Sequence, residues 1–267
     1  MIILTAVHGR VEVRTMKKYW LITGILLIGV IFGAVIMLIQ TNDRTIISTT
    51  QGSAEPYALD TALPESPANA PIYKVINVDS ISEGKPELMI IKNSIPSESE
   101  APKLAEKKLS EYGGLPHDAK LSLVEKVTIK KYNGKTGIIE EESPQWTSVH
   151  YKQEIYGLPV IGPGAGIVVN LGENGELLGI SKGWRIVEYA GEVPVISVEE
   201  AYQKLKNGDT MIAYQSSPIG LRVSDVKMGY YAEDIREDQK YYSPVWLFYA
   251  GKEGQKAFPR PVDAVKK

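Results

Sequence analysis

Between Thr147 and Trp184 the chain reads TSVHYKQEIYGLPVIGPGAGIVVNLGENGELLGISKGW, and this stretch admits few folds. Val149, Tyr151 and Ile155 fall on one face of an extended strand and His150, Lys152 and Glu154 on the other, the pattern of a half-buried sheet. Gly157, Pro159, Gly162, Pro163 and Gly164 then break the run into a strand corner. Asn174-Gly175 supplies the two positive-φ positions of a type I′ turn, so the flanking segments are expected to pair as an antiparallel hairpin. A two-residue turn sets the register, with Leu171 opposite Leu178, Val169 opposite Ile180 and Ile167 opposite Lys182. One face of that hairpin is almost entirely aliphatic and must cover something.

The same residues carry a family likeness. V-x-Y-x-Q from Val149, Y-G-L-P-V from Tyr156, I-V-V-N-L from Ile167 and E-N-G-E-L from Glu173 occur in the order that resembles the PepSY and related propeptide modules. The likeness spans roughly Glu98 to Gly251, and Pro244-Val245-Trp246 resembles the pattern again near its end. It carries no catalytic residue. It implies a module that binds a peptidase, as inhibitor or folding aid, or that acts beside a membrane sensor kinase as Yyc-type regulatory proteins do.

From Tyr19 to Ile39 the sequence is uncharged and apolar and would span about 30 Å as a helix, the hydrocarbon thickness of a bilayer. The run is longer than a signal-peptide core and ends without small residues, so it reads as a retained anchor. Arg10, Arg14, Lys17 and Lys18 precede it against Arg44 soon after, which predicts a cytosolic N-terminus over residues 1–18 and an extracytoplasmic remainder. Met16-Lys17-Lys18 resembles a natural start, so residues 1–15 read as an upstream extension. Residues 40–71, polar and punctuated by Pro56, Pro64, Pro67 and Pro71, are expected to be a disordered tether.

The folded part is expected to open with strands at Ile72–Val78 and Glu87–Lys92. A helix follows, with Ala101, Leu104, Ala105, Leu109 and Tyr112 on its apolar stripe, Ser97 or Ser99 as its cap and Gly113-Gly114 as its stop. Leu121–Lys131 and Thr136–Glu140 read as a further hairpin around Asn133-Gly134. A second helix begins with the capping box Ser197-Val198-Glu199-Glu200, buries Val198, Ala201, Tyr202 and Leu205, and ends at Asn207-Gly208. Strands at Ile219–Tyr231 and Tyr242–Ala250 complete the chain. The helix-then-strands order, met twice, predicts an α+β fold of two tandem PepSY-like units, each an antiparallel sheet with one helix, over residues 72–190 and 191–267.

Chemistry is sparsely signalled. The chain has no cysteine and three histidines, His8, His117 and His150, with no H-E-x-x-H pair; the zinc peptidase chemistry that the family likeness brings to mind has no ligand set here. No metal or cofactor is expected. Gly162-Pro163-Gly164-Ala165-Gly166 is followed by a strand-like run, so it reads as a corner rather than a phosphate loop. Glu140, Glu141 and Glu142, and Asp234, Glu237 and Asp238, lack the ligand spacing of a calcium loop and read as solvated charge. A net charge of −2 gives no reason to expect nucleic acid. The 15 tyrosines and four tryptophans read first as core.

These features together predict a non-catalytic, membrane-anchored, extracytoplasmic binding protein that modulates a peptidase or sensor kinase by protein contact, through addition to an exposed strand edge. Tyr156, Pro159, Gly162, Pro163 and Gly164 are its expected partner-binding residues. A cell-envelope glycan- or peptide-binding module, a hydrolase with an unrecognised site and a plain spacer are the alternatives.

Overall fold

A computed structural model describes residues 56–84, 94–213 and 219–267. The expected membrane span and the strand at 87–92 lie outside the described residues, among which no helix is long and apolar enough to cross a membrane. In chain order the elements are β1 (Ala58–Leu59), β2 (Asn69–Gly84), α1 (Ala101–Leu109), β3 (Ala119–Tyr132), β4 (Ile139–Ile155), β5 (Leu158–Ile161), β6 (Gly166–Leu171), β7 (Leu177–Pro194), α2 (Val198–Lys206), β8 (Arg222–Tyr231), β9 (Tyr241–Tyr242), β10 (Pro244–Gly251) and β11 (Phe258–Asp263).

All the described strands belong to one sheet. Its order is β11-β10-β8-β5-β4-β6-β7-β2-β9, with β1 added to β8 and β3 to β4, and it curls into a half-barrel. The alternation seen from Val149 is realised in β4, where Val149, Tyr151 and Ile155 are buried. Ile167 and Val169 of β6 face the same way and meet Lys182 and Ile180 of β7 in the expected register. Nearer the turn the pairing differs: Leu171 meets Leu177 rather than Leu178. Asn174 and Gly175 do adopt positive φ, but they sit in a longer loop closed by Gly172 N–H donating to the Glu176 carbonyl, and the extra residue is absorbed as a bulge.

Two helices cover two stretches of the sheet. α1 lays Ala101, Ala105 and Leu109 on Val149, Ile167, Val169 and Trp184. Its N-cap is Glu100, without a side-chain cap, rather than Ser97 or Ser99; the reciprocal bonds form one turn earlier, with Ser97 Oγ accepting from the Glu100 N–H and the Ser97 N–H donating to the Glu100 carboxylate. α2 lays Val198, Ala201 and Leu205 on Val223, Phe248 and Val262.

The expectation of two tandem units, each with its own sheet, is corrected by the pairing between these stretches. β5 pairs antiparallel with β4 through Ile155↔Leu158 and parallel with β8 through Val160↔Tyr230 and Ile161↔Tyr231. β9, which precedes β10, returns to pair with β2 through Tyr73↔Tyr242. The expected boundary at residues 190 and 191 falls inside β7, whose Glu192, Val193 and Pro194 still pair with Pro71, Ala70 and Asn69. A third core fills the junction, built from Tyr73, Ile155, Val160, Tyr230 and Tyr242. The physical reason is that unpaired strand edges leave backbone donors and acceptors unsatisfied, and a short strand between two halves pairs both edges at once. Among the described residues the result is one mostly-sheet body with two α-helices rather than a pair of repeats.

Two further segments differ from the sequence reading. Pro56 to Pro71, expected to end a tether, is packed: Tyr57 is buried with its carbonyl accepting from the Tyr202 hydroxyl, and Leu59 pairs with Val223. β11 went unrecognised because Pro259 and Pro261 interrupt it, yet it is an edge strand on β10, a position that tolerates missing donors.

Candidate functional site

A cleft of about 800 Å³ opens where α1 ends, between the segment after that helix, the β4–β5 turn and the neighbouring strands β2 and β7. Gly113 and Gly114, both at positive φ, stop the helix, and the Gly114 N–H donates to the Leu109 carbonyl. The chain then turns through Pro116 and His117 to Asp118, which reaches back over the sheet. Its carboxylate accepts from the Trp184 indole N–H at 3.2 Å and from Gln153 Nε2 at 2.8 Å.

Gln153 ties this network to the junction. It is fully buried, donates also to the Arg185 carbonyl at 2.9 Å, and its Oε1 accepts from the Tyr242 hydroxyl at 3.2 Å. Burial pushes the Tyr242 phenol up to about 12, so it stays a donor throughout the physiological range. A buried amide with its oxygen and nitrogen both engaged can hold one rotamer, and so it fixes the floor of the cleft.

The opposite wall is aromatic. Tyr156 and Gly157 form a tight turn between β4 and β5, both at positive φ, and the Tyr156 side chain is 87% exposed. Its ring stacks on Tyr73 at 6.0 Å between centroids, and Tyr189 meets the same ring edge-on at 6.2 Å. Tyr73 and Tyr189 are cross-strand partners in β2 and β7, which is why residues far apart in sequence meet. Burial, and then the hydroxyls of Tyr156 and Tyr189, raise the Tyr73 pKa, while a hydrogen bond with Tyr230 opposes the shift. A line of rings therefore runs from the cleft into the junction core, since Tyr73 also packs on Tyr230 at 5.4 Å.

Charge is arranged unevenly. Lys182 is buried on β7 and pairs with Asp79 of β2 at 2.5 Å, the carboxylate remaining partly exposed in the cleft. Removing Asp79 would strand a buried ammonium, so the pair is a support for the cleft wall. Glu154 and Glu188 line the cleft beside Tyr156 and Tyr189.

Of the five residues singled out from sequence, Tyr156 alone lines this cleft. Pro159 lies in β5, half-buried, with its carbonyl packed close to Gly229. Gly162 and Gly164 are sealed against the chain after β8: a Cβ on Gly162 would overlap the Ala232 carbonyl, and one on Gly164 would overlap the Glu233 carbonyl and the Arg185 guanidinium. Arg185, fully buried, clamps the same segment by donating to the carbonyls of Glu233, Asp234 and Glu237 at 2.8, 2.8 and 3.1 Å. Gly162 and Gly164 thus make a packed joint, with Pro163 on its exposed rim. Asp118, Gln153, Tyr73 and Tyr189 went unrecognised in sequence; the one signal available was the cluster of tyrosines in strands, which does not reveal register.

The remaining candidates are dispersed. His150 lies on β4 with its Nε2 3.4 Å from Glu125, away from the cleft lining. The acidic run Glu140–Glu142 is spent on β3, with Lys130–Glu142 and Lys131–Glu141 ion pairs and Asn133 donating to Glu140. Asp234 is held down to about 2 by its hydrogen bonds with Arg236. Among the described residues no group of histidine and carboxylate side chains is placed to hold a metal ion.

No protein-family model matches the chain, and no curated protein matches it either. Solved structures do: one is an uncharacterized protein from Eubacterium rectale, 14% identical, with a TM-score of 0.34, over 64% of this chain and 54% of that one. The chain thus matches little more than half of that structure's length.

Proposed function

We propose that the protein is a non-catalytic binding protein, anchored in the membrane through residues 19–39 with its folded part outside, and that it modulates a peptidase or a membrane sensor kinase by protein contact. The observation that carries the binding reading is the placement of Tyr156. A large ring 87% exposed at the tip of a two-residue turn, stacked on a second ring and overhanging a cleft of about 800 Å³, is an anchor held ready at low entropic cost. Among the described residues the side of β2 away from β7, beyond Val75, whose N–H donates to the Lys240 carbonyl, pairs with no strand, which supports strand addition next to that anchor. Only Tyr73 and Lys74 pair with β9, and Ile76 and Val78 are exposed.

A second reading is favoured by the gathered tyrosines themselves. Tyr156 and Tyr189, exposed on either side of Tyr73, are also the rings that a glycan-binding module would present.

The test places a photocrosslinking amino acid at position 156, and as a control at Lys266, in the full-length protein in its native membrane. The expected result is a discrete protein adduct from position 156 and none from the control. Equal labelling at both positions, or no protein adduct at 156, would overturn the reading.

A further inference from the structure

We infer that the cleft is built to receive a lysine or arginine side chain carried by the partner segment, held between the tyrosine rings and the carboxylates beside them. This deepens the protein-binding reading and rests on it. Three observations carry the assignment independently of one another.

The first is charge. Asp79, Asp118, Glu154 and Glu188 line the cleft against Lys120 and Lys182, and the Lys182 charge is already met by Asp79. With histidine neutral, the lining carries an excess of negative charge, which attracts a cation and repels an anion. An uncharged apolar ligand would have to desolvate Glu154 and Glu188 without compensation.

The second is the set of rings. Tyr156 and Tyr189 both lie about 6 Å from Tyr73, so two exposed rings are gathered at the cleft over a buried third. The faces of such rings attract ammonium and guanidinium groups. Elsewhere the molecule supplies its own cations to tyrosine rings: Lys206 sits 4.8 Å from the buried Tyr202 ring and Lys227 4.8 Å from the half-buried Tyr249 ring. Among the described residues no such cation is placed over Tyr156 or Tyr189, which are 87% and 60% exposed, so these two rings remain open to a ligand while the buried Tyr73 backs them.

The third is preorganisation. The Trp184–Asp118–Gln153–Tyr242 network fixes the floor, and the Tyr156-Gly157 turn fixes the rim. A long flexible basic side chain can therefore be ordered against a surface that does not itself need ordering.

The test uses the full-length protein in lipid nanodiscs and a set of short extended peptides that differ only at a central position, which is arginine, lysine, norleucine or glutamate. Tetrameric N-acetylglucosamine serves as a separate probe. The expected order is arginine and lysine above norleucine, by about tenfold, and norleucine above glutamate. Raising the salt concentration should narrow the gap between lysine and norleucine. The double substitution E154Q/E188Q should narrow that gap by weakening the lysine and arginine peptides, and Tyr156→Ala should weaken all the peptides. Equal binding of lysine and norleucine peptides, preference for glutamate, failure of every peptide to bind, or binding of the sugar alone would each overturn the assignment. A position-156 crosslink in the same preparation would then leave the broader protein-binding reading standing, so the two failures are distinguishable.

Discussion

At the scale of the residue, the molecule separates side chains that look alike in the sequence. His150 and Tyr156 both belong to the stretch with the strongest strand signal, yet one is half-buried and the other projects into solvent. Burial depresses the His150 pKa, and Lys152 adds to the effect while Glu125, 3.4 Å away, opposes it. The folded state therefore disfavours the imidazolium that the unfolded chain accepts. The stability associated with neutral His150 is fully present above the unfolded value of about 6.5 and is lost as the pH falls through the depressed folded value. Denaturant titrations across this range should show the decline, and His150→Gln should flatten that part of the profile; an unchanged profile would count against this origin. Exposure of this kind was not legible from alternation alone, which assigns a face but does not say whether anything lies over it.

At the scale of the element, local chemistry read from sequence was reliable and its completion was not. The serine half of the capping box at Ser197 is made: its Oγ accepts from the Glu200 N–H at 3.2 Å, and Val198, Ala201, Tyr202 and Leu205 are buried as the spacing requires. The helix has a second cap that no local pattern could disclose, because Ser66 Oγ accepts from the Val198 N–H at 2.8 Å across 132 positions. Both serve donors that an α-helix leaves unpaired at its start. Ser197→Ala and Ser66→Ala should each cost about 1 kcal/mol of folding stability, measured by chemical denaturation. If Ser66→Ala had no effect, the packing of residues 56–71 on α2 would contribute nothing at this end. The hairpin around Asn174 shows the same division: its positive-φ residues were legible, but the loop that contains them is longer than the turn they suggest, and the register shifts by one residue at Leu171.

For the whole molecule, the decisive feature is the junction where β5 pairs with both β4 and β8. Tyr230, fully buried there, packs on Tyr73 and Tyr242 and donates to the Pro71 carbonyl at 3.2 Å. Tyr230→Ala should destabilise the protein by about 3–5 kcal/mol. The loss should reach both halves together. Hydrogen exchange in peptides from β6, on the α1 side, and from β10, on the α2 side, should rise in parallel under mild denaturant; independent opening of one side would refute a single cooperative body.

What the sequence by itself determined was local: strands by alternation, helices by apolar spacing and capping boxes, turns by glycine and asparagine, and the absence of thiol chemistry from a chain with no cysteine. These depend on residues a few positions apart, where periodicity and backbone sterics act. What only the tertiary structure decided was which edges meet. Pairing satisfies backbone groups that every residue type carries, so Val160 and Tyr230 bear no mark of being partners, and a chain that reads as two repeats closes into one sheet. The cleft follows from that closure. Tyr156 was visible from the start as part of a Gly/Pro break, but its neighbours Tyr73, Asp118 and Tyr189 were brought to it by strand register and helix placement, and in the Gly162–Gly164 corner beside it the two glycines pack on the chain after β8 while Pro163 stays exposed.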